Sequence, residues 1–198
     1  MKFLLGKKIG MTTLFNAEGV ALNVTLLSCE GSEVKLHRTR EKDGYVAVQL
    51  AYPKTKRRVT NKEFRIDGAV EIVDEVKLLE SLPVGTKLTV TQFAEGDRVQ
   101  VTGVTKAKGF QGVVKRHGFK GQMTSHGRKH DIRKPGSIGA TFPEHVIKGR
   151  RMAGRMGADR FTVKNLRVVM VDEAEGIMAV KGAVPGVAGR MVEIKSLK

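Results

Sequence analysis

Residues 106–160 read KAKGFQGVVKRHGFKGQMTSHGRKHDIRKPGSIGATFPEHVIKGRRMAGRMGADR. Lysine and arginine number 14 there against three acids, Asp131, Glu144 and Asp159, a net of +11. The rest of the chain holds 22 basic and 17 acidic residues, a net of +5. The stretch also carries ten of the 23 glycines and four of the five histidines. Its large apolar residues follow neither the period of a strand nor that of a helix. Their area is too small to offset the ordering entropy of so many glycines, so the stretch cannot form a core from itself. It requires a partner of opposite charge, and the remaining residues read as the platform that holds it.

At 198 residues, 40% of them apolar, the chain can build one large domain or two small ones if the core lies outside the basic stretch. A formal net charge of +16 and a sequence pI near 10.2 point to a polyanion. Nucleic acid is the usual partner of such a chain, and an anionic membrane surface the rarer one. Tryptophan is absent and aromatics are scarce, which weighs against a stacking platform for single strands. Cys29 is the one cysteine, so neither an internal disulfide nor a cysteine-based zinc site can form, which fits a reducing cytosol. The N-terminal Phe-Leu-Leu run is too short for a signal-peptide core, and no apolar stretch approaches the roughly 18–20 residues of a membrane span. A cytoplasmic protein is expected.

Outside the basic stretch the chain reads as strands and turns. Residues 11–16 and 20–29 flank a turn at Ala17-Glu18-Gly19, and 33–38 and 45–52 flank Asp43-Gly44, a strong hairpin signal. Residues 53–62, PKTKRRVTNK, read as a solvated basic loop or a second phosphate-contacting arm. Residues 69–82 begin with alternation and end at helical spacing, giving a short helix near 74–81 stopped by Pro83. Strands follow at 87–93, 98–104, 161–172, 177–184 and 190–195. Many short strands without a βαβ rhythm predict an all-β fold, a small barrel or sandwich. The body is expected over 1–105 and 161–198, with 106–160 inserted in it. The strands on either side of the insertion should share one sheet system.

The chemistry of the insertion is that of phosphate contact. Glycine lets the backbone approach a phosphate closely, and lysine and arginine neutralise it and release counterions. The candidate RNA-binding side chains are Lys106, Lys108, Lys115, Arg116, His117, Lys120, Arg128, Lys129, His130, Arg133, Lys134, Lys148, Arg150, Arg151, Arg155 and Arg160, with Lys7 and Lys8 adding to the footprint. Phe110 and Phe119 offer wedges or stacking faces. Met152 and Met156, four apart, suit one helical face that packs down while the arginines point out. Catalytic readings are weak. His126 and His130 are four apart, yet no Glu follows the first, so the zinc-protease pattern is missing. Ser125 sits in no nucleophile elbow, and Gly136-Ser137-Ile138-Gly139 lacks the Gly-Lys-Ser/Thr of a phosphate-binding loop. No metal, cofactor or small-molecule substrate is expected.

Six segments carry a resemblance: LLGKKIGMTTLF near the N-terminus, VTGVTKAKGFQGVVKRHGF at 101–119, HGRKH at 126–130, KPGSIG at 134–139, KGRRMAGRMG at 148–157 and VKGAVPG at 180–186. In this order they resemble the bacterial form of large-subunit ribosomal protein three, the universal L-three family. The resemblance implies a six-stranded β-barrel with a long extension driven into ribosomal RNA. It implies direct binding to large-subunit ribosomal RNA near its 3′ end and help in nucleating subunit assembly. It also implies neighbouring ribosomal proteins against the barrel, no membrane partner and no enzymatic activity. The extension's tip, Gly139, Ala140, Thr141 and Phe142, would approach the peptidyl transferase centre. Three positions depart from the family pattern. Ala107 replaces a glycine, Ala140 stands where some members carry a methylated glutamine, and 140–145 lacks the tryptophan of the archaeal and eukaryotic loop. The competing readings are a free RNA chaperone or ribosome-assembly factor, and an RNA-acting enzyme using His126 or His130 as base.

Overall fold

The computed structural model describes residues 2–55, 58–66, 79 and 81–197. Their strands are β1 (Phe3–Phe15), β2 (Ala21–Ser28), β3 (Ser32–Arg38), β4 (Ala47–Thr55), β5 (Arg58–Arg65), β6 (Lys87–Leu88), β7 (Arg98–Val104), β8 (Gly109–Gln111), β9 (Gly154–Met156), β10 (Arg160–Asp172), β11 (Ile177–Lys181) and β12 (Met191–Ser196). The described helical elements are α1 (Arg40–Asp43), α2 (Val113–His117) and a 3-10 turn at Val90–Gln92, and the described residues Leu79 and Ser81 are also helical. The class is all-β.

Six strands close a barrel in the order β1-β12-β7-β10-β11-β2, every pair antiparallel. The first strand therefore lies against the last, with Phe3 opposite Lys195. Closure leaves this sheet no edge to protect. Two 13-residue strands make it work by serving different neighbours along their lengths. β1 pairs with β12 from Phe3 to Lys7 and with β2 from Lys7 to Phe15, and its register shifts between Lys8 and Gly10. β10 pairs with β7 up to Arg167 and with β11 from Val168, with a shift between Val163 and Leu166 where Asn165 takes φ 61°. Such irregularities bend a strand and sharpen its twist, which a small barrel needs at its corners.

A second sheet, ordered β5-β4-β3-β6, belongs to the same body. It explains why Phe3, Leu4 and Leu5 are buried in succession where a half-exposed strand would alternate. Phe3 stacks on Phe64 of β5 with ring centroids 5.0 Å apart, and Ser32 Oγ of β3 donates to the Leu5 carbonyl at 3.0 Å. The barrel lining of Leu27, Val99, Val101, Met178, Val180 and Ile194 joins Val34, Val48, Leu50 and Phe64 of the second sheet in one core.

Several expectations change. The first strand starts at Phe3 rather than at 11, since its apolar start is covered on both faces. Within 53–62, expected as a solvated loop or a phosphate-contacting arm, 53–55 end β4 and 58–62 open β5, so the loop gives way to strands paired through Tyr52–Thr60 and Pro53–Val59. Lys62 reaches Glu193 at 3.2 Å. The strand expected at 87–93 shrinks to Lys87–Leu88, because a 3-10 turn brings Val90 and Phe93, three apart, both into the core. Asp43-Gly44 does join β3 to β4, through α1 and with Gly44 at φ 78°. The helix expected near 74–81 lies outside the described residues apart from Leu79 and Ser81.

Phe3→Ala removes the stack between the two sheets and should lower unfolding stability by about 3–5 kcal/mol, read as a lower urea midpoint at unchanged slope. A second outcome concerns acid. Asp97 accepts from the Lys2 ammonium at 2.9 Å and from the Ala94 N–H at 3.1 Å, and the Lys2 hydrogen bond chiefly holds its carboxyl below the usual range. With the folded value depressed, the pair's contribution is present above the unfolded value of about 3.9 and is lost as pH falls through the folded one. Asp97→Asn should therefore flatten the acid limb of a melting-temperature profile below about pH 4. The effect will be small, because both side chains are partly solvated.

Candidate nucleic-acid interface

The described chain falls into two compact units, Met1–Val104 with Arg160–Lys198, and Thr105–Asp159. The second contains the basic stretch almost to the residue. Its two ends run side by side. Thr105 N–H donates to the Asp159 carbonyl at 2.9 Å, Asp159 N–H to Thr105 Oγ at 3.2 Å, and Lys108 N–H to the Met156 carbonyl at 2.9 Å. The β8–β9 ladder follows, pairing Gly109 with Met156 and Gln111 with Gly154. The five-residue α2 begins after Gly112 and ends at Gly118 in the left-handed region. From there to Gly154 the chain is turns and bends.

Two glycines are required by this path. Gly157 has φ 77°, and a β-carbon there would run into the Lys106 carbonyl. Gly121 has φ 79° and lies as close to the Ile132 carbonyl, which accepts from Gln122 N–H at 3.0 Å. Ala107 is outside the left-handed region, so the alanine in place of the family's glycine fits without strain. Met152 and Met156 do not share a helical face. Met156 is in β9, where the ladder with β8 dictates extended backbone, and Met152 precedes it in irregular chain. His126 and His130 sit in turns, so their spacing places them on no common helix face.

Val113, at 3% exposure, is the unit's one large apolar residue in the buried class among the described residues, whereas all of 133–150 is exposed. Order comes instead from polar ties, several made by the expected RNA-binding side chains. Arg116 Nη1 donates to the Met152 carbonyl at 2.6 Å, and His117 Nε2 lies 3.1 Å from the same oxygen. Arg128 donates to Gln122 Oε1 at 3.1 Å, and Arg150 to the Ser137 carbonyl at 2.8 Å. Lys134 pairs with Asp131 at 2.7 Å, and that hydrogen bond holds the Asp131 carboxyl below its usual range. Arg155 lies 3.7 Å from Asp159. Among the described residues, the charged side-chain groups of Lys106, Lys108, Lys115, Lys120, Lys129, Arg133, Lys148 and Arg151 make no hydrogen bond or ion pair within the chain. Eight cations thus stand on one short unit without a carboxylate to answer them.

The remaining candidates lie in the body. Arg160 pairs with Glu193 at 2.5 Å. The Lys7 ammonium stands 5.6 Å from the centre of the Tyr52 ring. Lys8 departs from expectation: it is buried, and its Nζ donates to the carbonyls of Val184 at 2.7 Å and Gly186 at 3.2 Å. Its charge latches the 182–190 loop to β1, which takes it out of any phosphate footprint. The sequence carries no signal for this, because Lys7 and Lys8 differ only in which way β1 turns them. The brace from Arg150 to Ser137 was likewise invisible, since a backbone acceptor has no residue signature. Gly139, Ala140, Thr141 and Phe142, the expected tip, are all exposed, Phe142 by 79%. Among the described residues no three His, Cys, Asp or Glu side chains gather as metal ligands, and no helix is long and apolar enough to cross a membrane.

A family model described as Ribosomal protein L3 matches residues 45–179, which include the whole basic unit. The chain belongs to the ribosomal protein L3 family. It is 42% identical to the large ribosomal subunit protein uL3 of Streptococcus mutans, over 98% of this chain and 96% of that one. The uL3 protein of Pelotomaculum thermopropionicum is 43% identical and that of Streptococcus pyogenes 41%, at the same coverage. As an L3-family member, this protein is a structural, non-enzymatic constituent of the large ribosomal subunit. That sets aside the RNA-acting enzyme with His126 or His130 as base.

Gly157→Ala should open the paired base of the unit. The strained backbone costs more than about 1 kcal/mol, so tryptic cleavage within 105–159 should speed up while the body keeps its melting temperature.

Proposed function

We propose that this L3-family protein binds large-subunit ribosomal RNA directly, near the RNA's 3′ end, chiefly through Thr105–Asp159. In this reading it helps nucleate subunit assembly in the bacterial cytoplasm, with neighbouring ribosomal proteins against the body. Residues Gly139, Ala140, Thr141 and Phe142 lie toward the peptidyl transferase centre. The eight unanswered cations carry the proposal. A unit that buries so little apolar surface gains nothing from holding like charges together, so its ordered form is favoured when phosphates surround it. The other contacts divide by chemistry. Arg116, Arg128 and Arg150 brace the unit through one donor each and keep further N–H groups for phosphate, as the five-donor guanidinium allows. The lysines act as point charges.

Replacing Lys106, Lys108, Lys115, Lys120 and Lys129 by Gln tests this. Each lost phosphate contact should shallow the plot of log affinity against log salt by roughly 0.7–0.9, the range between single strands and a B-form duplex. The five together should weaken binding to a large-subunit RNA transcript at least a hundredfold at low salt. The same variant should be depleted from sedimented large subunits; undiminished entry would defeat the proposal. Recovery of the wild-type protein only in free fractions, never in salt-washed subunits, would favour an assembly factor instead.

A further inference from the structure

Within the basic unit one groove differs from the rest of its surface. Its volume is about 860 Å³, within the roughly 300–1,000 Å³ typical of small-ligand sites. Phe119, Ile138 and Ile147 line it together with Lys148, Arg150 and Arg151, and no carboxylate does. Ile147 is 64% and Ile138 42% exposed, so this apolar surface has no cover from the chain itself. The groove is also braced. Arg150 ties the 147–151 segment to the Ser137 carbonyl at 2.8 Å, and Ser137 Oγ donates to the Gly139 carbonyl at 2.8 Å. Phe119 has the His117 ring 6.0 Å away at a 44° tilt, and His117 is itself held to the Met152 carbonyl. The charged groups of Lys148 and Arg151 have no partner among the described residues.

We infer that this groove receives a single unpaired nucleotide of RNA, its base against Phe119, Ile138 and Ile147 and its phosphate on Lys148 and Arg151. The inference rests on the reading that this unit binds RNA, and it assigns one subsite a structural preference that charge alone does not confer. A paired A-form helix offers phosphates and sugars but keeps its base faces stacked, so it could cover the cations and leave the isoleucines wet. A bulged or looped nucleotide presents an apolar base face and an anion one sugar apart, which matches an apolar residue directly followed by a cation, Ile147-Lys148. The braces mean that little ordering remains to be done on binding.

The test uses the full chain and two RNA hairpins with equal numbers of phosphates, each closed by a non-nucleotide ethylene glycol linker so that no loop base is unpaired. One is fully paired, and the other carries a single bulged 2-aminopurine. The bulged hairpin should bind roughly tenfold tighter, with a change in 2-aminopurine emission on binding. Ile147→Ser alters an exposed side chain and no charge, so folding is spared. It should bring the ratio of the two dissociation constants toward one, and Phe119→Ala should do the same. Equal affinity for both hairpins with the unaltered protein would overturn the inference and leave RNA binding by the unit intact. Binding to neither hairpin would defeat that broader reading as well. An acidic peptide that displaces the bulged hairpin as well as unlabelled bulged RNA does would assign the groove to protein instead, and a wild-type ratio in Ile147→Ser would also refute it.

Discussion

Val104 stands opposite Arg160 across the ladder between β7 and β10, and the next residues along the chain, Thr105 and Asp159, are hydrogen bonded to each other. On this juxtaposition everything else depends. A 55-residue excursion with one buried large apolar side chain cannot bring its own ends together at a profit, since closure costs entropy before any contact repays it. Here the barrel does so. The strands on either side are already fixed by six-fold closure and by a core shared with the second sheet. The unit begins as a ladder two strands wide, and only its middle departs into turns.

That division lets the two parts obey different physics. The body is stabilised by burial, and even its lysine at position 8 is drawn into the interior economy by two carbonyls. The basic unit is stabilised by polar ties, two of them from arginine, Arg116 and Arg150, to backbone oxygen. Arginine suits both duties, because a planar fork can brace a carbonyl with one N–H and present others outward. Lysine has a single charged head. Most lysines of the unit accordingly brace nothing, and Lys134, paired with Asp131, is the exception. Net charge of this density favours a compact form only in the presence of counter-charge.

Much of this was legible beforehand, and the exceptions share a cause. The charge cluster, its limits, and the strands flanking it followed from composition and alternation, which are local. Phe3–Leu5 did not read as a strand because consecutive burial carries no period-two signal when both faces are covered. Residues 53–62 read as a loop because their charges hid the strand pairing between the end of β4 and the start of β5, where Pro53 faces Val59. The 3-10 turn at Val90–Gln92 replaced strand because two core positions three apart outweighed alternation. Met152 and Met156 had helical spacing, yet strand pairing with Gly109, 47 positions earlier, put Met156 in β9. Apart from 53–62, whose pairing is local, tertiary packing or a strand distant in sequence decided the outcome.

The order of residues by itself determined that the chain is mostly β, that its charge is concentrated in one glycine-rich insertion, and to which family it belongs. All three are sums or patterns over neighbours, and they survive without knowing what touches what. Which cations remain without a partner, which are tied to carbonyls, and how Phe119, Ile138 and Ile147 come to share one groove were settled only by the folded chain. A lysine and its neighbour are chemically alike until a strand turns one inward, and a backbone oxygen becomes an acceptor for arginine only when a turn aims it.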